Sequence, residues 1–133
     1  HLNIFMSILK AFTTHFKEFM NDIQVVFPKD PEIRTTKFFF SSLIAVNPKS
    51  IVVGWKECVN DVYEKEIIKG DFDFFLNKNY AKDLEGTEGE SNILQSIEIF
   101  RHKIRNMGDE NRNKSMKYMQ NLTKLCKLYY SKK

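Results

Sequence analysis

The chain has 133 residues, 42% of them apolar, and a net charge of +4. That length fits one domain able to bury a real core, and the composition argues against disorder beyond the edges. The longest apolar stretch, Phe38 to Val46, is interrupted by Ser41 and Ser42 and falls far short of the roughly 20 residues a bilayer span needs.

With 12 Phe and 5 Tyr, the expected core is unusually aromatic. No secretory signal is read at the N-terminus. Met6 is the expected native start, with His1 to Phe5 an extension before it. Cys58 and Cys126 lie far apart in helical patterns, which reads as two reduced core thiols in an intracellular compartment rather than a disulfide framework.

Phe5, Leu9, Phe12, Phe16, Phe19, Ile23 and Val26 recur at alternating spacings of four and three, the stripe of a long bundle helix. Phe27-Pro28 ends it, because the residue before a proline is pushed out of the helical region. Asp30 as N-cap and Pro31 in the first turn start a second helix that runs to about Val46. Phe38, Phe39 and Phe40 span about 200° of its circumference, too much for one face. Either this helix is central and covered on several sides, which is the preferred reading, or part of it is an interface.

Asn47-Pro48 repeats the capping grammar and opens a third helix carrying Ile51, Val52, Trp55, Val59, Val62, Tyr63 and Ile67. Gly54 inside it points to a close backbone neighbour or to drift, and Gly70 is a natural left-handed C-cap. Asp71 caps a short turn through Phe72, Phe75 and Leu76, followed by a turn and short helix to Leu84 anchored by Tyr80. Residues 85–90 hold two glycines and three glutamates and read as a flexible acidic loop. Ser91 caps a fourth helix with Ile93, Ile97, Phe100, Ile104 and Met107 on its stripe, and Gly108 closes it. Asp109 opens the last helix, with Met116, Met119, Leu122, Cys126 and Tyr129 along one side. The expected fold is all-α: residues 1–133 form a single-domain bundle of about five helices plus one short helix.

Chemistry is hard to find. His1, His15 and His102 are isolated from one another and from cysteine, so no metal site is expected. Asp71 and Asp73 bracket Phe72 at a helix start, where capping accounts for Asp71. Residues 85–89 are acidic and repel phosphate, no serine elbow occurs, and neither cysteine has a catalytic surrounding. No enzyme activity, cofactor or membrane partner is expected.

Charge is segregated. Residues 1–70 hold nine Lys/Arg against eight Asp/Glu, residues 71–90 two against six, and residues 91–133 ten against three. Arg101, Arg105, Lys114, Lys117 and Lys124 are the candidate nucleic-acid surface, with Tyr118 and Tyr130 interleaved. The bland alternative is a solvated lysine-rich face, or one met by the acidic loop within the molecule or from a neighbouring copy.

Four segments carry a resemblance: Asp22-Ile23-Gln24-Val25-Val26-Phe27-Pro28, Val46-Asn47-Pro48-Lys49, Trp55-Lys56-Glu57, and Gly70-Asp71-Phe72-Asp73-Phe74-Phe75-Leu76-Asn77-Lys78-Asn79-Tyr80. Over roughly residues 15 to 125 the chain resembles small proteins of nucleocytoplasmic large DNA viruses, the giant viruses. The abundance of Lys, Asn, Ile and Phe fits an AT-rich genome. The resemblance implies a viral source and an all-α fold, and it carries over no functional residue.

The leading expectation is a non-enzymatic viral interaction or structural protein, including a virion component, placed in host cytoplasm, viral factory or virion. Its partner would be a viral or host protein or a second copy of itself. Phe38, Phe39, Phe72, Phe74 and Tyr80 are the candidate interface, because surplus aromatics in an exposed patch mark docking surfaces. The alternative is nucleic-acid binding by residues 91–133.

Overall fold

The computed structural model describes residues 2–77 and 90–131, and every regular element among them is helical. The four-three stripe of the N-terminal segment becomes α1 (Leu2–Val26). Phe12, Phe16, Phe19, Met20 and Ile23 are buried along it, with Phe5, Leu9 and Val26 half-buried towards its ends. A turn through Pro28 leads to Asp30, whose backbone is extended. Its Oδ1 accepts from the amides of Glu32 at 2.9 Å and Ile33 at 3.3 Å, and Pro31 opens α2 (Pro31–Val46).

The central placement preferred for this helix is not what the structure has. Only Ile33, Thr36 and Ile44 are buried on α2. Phe40 turns inward, edge-on to Phe16 with ring centres 5.1 Å apart. Phe39 is half-buried, and Phe38 stands 73% exposed. The three rings were too many for one face, and α2 resolves the conflict by releasing one of them to solvent.

Asn47 does not cap the next helix directly. Its Oδ1 accepts from the Lys49 amide at 3.1 Å and its carbonyl from Ser50 at 3.0 Å, which closes a turn ahead of the helix. The predicted third helix is one helical run in three parts: α3 (Ser50–Trp55), a π turn (Lys56–Asn60) and α4 (Asp61–Lys69). It leaves α2 at a bend of 115°. The wide π turn, in which the Asp61 amide reaches back to the Lys56 carbonyl, changes the helical register. Val59, Tyr63 and Ile67 stay buried, while Val62, expected on the same stripe, is turned outward. Gly54 has no close neighbour: a Cβ built there meets nothing within 4 Å.

Gly70 takes the left-handed conformation at φ 82°, and the Asp71 amide donates back to the Glu66 carbonyl at 2.8 Å, the paired closure expected of a glycine C-cap. Asp71 Oδ1 then accepts from the Phe74 amide at 3.2 Å and starts the short α5 (Phe72–Asn77).

The remaining helices are α6 (Glu90–Arg105) and α7 (Asp109–Ser131). Helix α6 begins one residue before Ser91, and the side chain of Ser91 lies outside the described residues. Glu90 belongs to this helix, and the rest of the expected acidic loop lies outside the described residues, as does the expected short helix to Leu84. Gly108 closes nothing by a left-handed turn. Its carbonyl accepts from the Arg112 amide at 2.9 Å, so it stands at the N-terminal boundary of α7 and Asp109 is already the first helical residue.

The centre of the bundle is α7. It runs antiparallel to α1, with Tyr129 against Phe5 at one end and Tyr118 against Phe19 further along, and that pair makes the most extensive packing in the fold. On another side it meets α3, the π turn and α4, again antiparallel, and α6 also packs on it. Met116, Met119, Leu122, Cys126 and Tyr129 are all buried, joined by Ser115 and Thr123. Both cysteines are buried thiols.

Candidate interaction surfaces

A helix packed on two sides leaves a strip for solvent, and the chemistry of that strip differs sharply between α2 and α7. On α2 the outward residues from Thr35 onward are Thr35, Phe38, Ser41, Ser42, Ala45 and Val46. No charge appears among them over roughly 16 Å of helix. Lys37 does not interrupt the strip, because it is half-buried and its Nζ donates to Gln24 Oε1 at 2.6 Å. Helix α2 is anchored from beneath by Lys103 of α6, which lies 2.6 Å from Asp30 and 3.2 Å from Glu32. That ammonium holds the Asp30 carboxyl below its usual range, and Asp30 in turn raises Lys103.

Of the other aromatics expected at an interface, Phe74 on α5 is 39% exposed and set edge-on to Tyr63, with ring centres 5.8 Å apart. Tyr80 and the side chain of Phe72 lie outside the described residues. The structure thus separates Phe38 and Phe39 on α2 from Phe74 on α5, and among the described candidates only Phe38 projects far into solvent.

On α7 the outward strip reads Lys114, Lys117, Asn121, Lys124 and Leu128, at spacings of three and four. Lys114 stands over a cleft of about 150 Å³ between α1 and α7 that Asp22, Asn111 and Tyr118 also line. Lys124 lines a different groove, on the α4 side, and Lys117 is exposed between the two. Arg101 and Arg105 belong to α6, half-buried and exposed respectively, and line neither cleft. Lys114, Lys117 and Lys124 thus share one strip of α7, and Arg101 and Arg105 belong to a different helix.

The interleaved tyrosines are engaged within the fold. Tyr118 stacks on Phe19 at 5.0 Å, lies 4.7 Å from the His15 ring, and donates to Asp22 Oδ2 at 2.7 Å. Burial, then that bond, pushes its hydroxyl up to about 12, so it stays protonated near neutrality. Tyr130 packs edge-on to Tyr129, with Lys56 Nζ 5.2 Å from its ring centre.

Sequence reasoning missed the groove between α4 and α7. It encloses about 400 Å³ and is lined by Glu64, Lys65, Ile68, Lys69, Thr123, Lys124 and Lys127. Two lysines come from each helix, and the single acid, Glu64, sits 3.2 Å from Lys127. Two ties to Thr123 set the alignment of the helices: Trp55 Nε1 donates to its Oγ1 at 3.2 Å and Asn60 Nδ2 to its carbonyl at 3.0 Å. At the far end Gln120 Nε2 donates to the Ile67 carbonyl at 3.1 Å. The signals in the sequence were Lys65 and Lys69 four apart and Lys124 and Lys127 three apart, and the two pairs meet only once antiparallel packing is known.

Among the described residues, no group of three or more His, Cys, Asp or Glu side chains is placed to hold a metal ion. No single described helix is long and apolar enough to cross a membrane. No protein-family model, curated protein or solved structure matches the chain, so its function has to be argued from these surfaces.

Proposed function

We propose that the protein is a non-enzymatic interaction or structural protein that docks another protein chain on the outer face of α2, with Phe38 as the anchor. The observation that carries this reading is the 73% exposure of Phe38 in the middle of an uncharged strip. A solvated helix face normally carries charge, whereas the centre of a protein interface is depleted of it and enriched in aromatics. Thr35, Ser41, Ser42 and Ala45 are short and let a partner approach the α2 backbone closely while Phe38 enters a pocket. The resemblance to proteins of large DNA viruses supports an infected cell or virion as the setting. The same reading admits a second copy as partner, because an uncharged face brings no like charges together in a protein of net charge +4.

The test is a photo-crosslinking amino acid at position 38, with the same group at exposed Asn113 as control, irradiated in a lysate of the native host. A discrete adduct from position 38 that is absent from position 113 is expected, and its mass identifies either a different protein or the chain itself. Phe38→Ser should weaken the complex by roughly thirtyfold or more, the scale of a truncated aromatic anchor. Equal, diffuse labelling from both positions would remove the basis of this reading.

A further inference from the structure

We infer that the α4–α7 groove binds an acidic amphipathic helix of a partner protein, at a site separate from the α2 face. Lys65 and Lys69 stand one turn apart on α4, about 6 Å along the axis, and Lys124 and Lys127 stand about 4.5 Å apart on α7. Against these four cations the lining offers, among the described residues, one carboxylate, Glu64, which Lys127 already contacts at 3.2 Å. The groove therefore keeps a surplus of three positive charges at neutral pH.

Its floor decides between classes of anion. Ile68 lies there 44% exposed, beside Thr123 and the aliphatic stems of the lysines. A phosphate backbone has no use for an aliphatic floor, and a nucleic acid held by its bases needs aromatic or guanidinium surfaces to stack on. Among the described residues, neither an aromatic ring nor an arginine lines this groove. An amphipathic helix satisfies both features: an apolar stripe laid on Ile68, and acidic residues at i and i+4 facing the two lysine rows. The nine-residue α4 and the facing part of α7 offer about two and a half turns of contact, the length of a short docking helix.

The test uses the full chain and fluorescence anisotropy with three probes. These are a peptide of about 16 residues with a leucine stripe flanked by glutamates at i, i+4 spacing, its scrambled counterpart of equal charge, and a single-stranded oligonucleotide of equal charge. The ordered peptide should bind at least about tenfold tighter than either control. Lys65→Glu with Lys124→Glu should abolish that binding, and both sites are exposed, so the variant keeps its fold by circular dichroism. Ile68→Ser should weaken the ordered peptide and leave any oligonucleotide binding unchanged. Phe38→Ser should leave peptide affinity at the wild-type value, which separates failure here from failure of the α2 reading. Equal affinity for ordered and scrambled peptides, tighter binding of the oligonucleotide, or no peptide binding would each overturn the proposal.

Discussion

The groove exists only while the helical run from α3 to α4 is held against α7, and the hydrogen bond from Trp55, the last residue of α3, to Thr123 is one probe of that contact. Thr123 is 1% exposed, and its Oγ1 accepts from Trp55 Nε1 at 3.2 Å. Thr123→Val keeps the side-chain shape and removes the acceptor, leaving a partly buried indole N–H without its partner. Such a loss costs about 1–2 kcal/mol. Unfolding entropy near 2.1 cal/mol/K per residue gives a chain of 133 residues about 0.28 kcal/mol/K, so the expected fall in Tm is roughly 4–7 °C. Trp55→Phe removes the donor, together with some packing against Phe12 and Phe16, whose rings lie 6.2 and 6.4 Å away. The double variant isolates the bond itself. Urea unfolding followed by far-UV circular dichroism should give a coupling energy of about 0.5–1.5 kcal/mol. Additivity of the two single changes within about 0.3 kcal/mol would show that this contact does not tie the end of α3 to α7.

Two further expectations come from titratable groups. Asp30→Asn preserves an N-cap while removing the charge, so its effect reports what that charge contributes, first through Lys103 and then at the helix N-terminus. The contribution of Asp30 is present above its unfolded value near 3.8 and is lost as pH falls through the lower folded value. That of Lys103 is complete below 10.5 and is lost as pH rises through its raised folded value. The Tm difference between wild type and Asp30→Asn should be flat from about pH 5 to 9 and shrink towards about pH 2. A difference that persists undiminished in strong acid would refute the assignment. Burial pushes the Cys126 thiol up to about 12, and its Sγ donates to the Val52 carbonyl at 3.6 Å. Neither Cys126 nor buried Cys58 should react with a thiol reagent at about pH 8 before unfolding, and both should label together in urea. Rapid stoichiometric labelling of the native chain would contradict this.

Local grammar made most of the fold legible. Asp30-Pro31 and Gly70-Asp71 fix their helix ends by contacts within five residues, and the α1 and α7 stripes need only the helical period. What could not be read depended on tertiary contacts. The π turn spans Lys56 to Asn60, ordinary helix-forming sequence, and its polar residue Asn60 finds its acceptor 63 positions away on Thr123. Phe38, Phe39 and Phe40 announced a conflict, but which ring would be released depended on where α1 and α6 lie against α2. The basic third was visible as composition. Which of its cations are paired was not, because Lys103 is taken up by Asp30 and Glu32, distant in the chain, and Lys127 by Glu64.

The contrast between the two surfaces is itself physical evidence about how each would be used. A lysine-covered strip such as that of α7 keeps copies of a positively charged protein apart, and its hold on any acidic partner weakens as salt screens it over about 10 Å at 0.1 M ionic strength. The α2 strip has no charge from Thr35 to Val46 and exposes an aromatic ring that could have been exchanged for lysine without disturbing the core. Docking there depends on apolar burial, which salt does not screen. Raising ionic strength from about 0.05 to 0.5 M should therefore release an acidic helix from the Lys65–Lys69–Lys124–Lys127 groove while leaving a partner on Phe38 in place. If both complexes dissociated in parallel, the α2 face would be acting through charges it does not carry, and the division of labour between the two surfaces would be wrong.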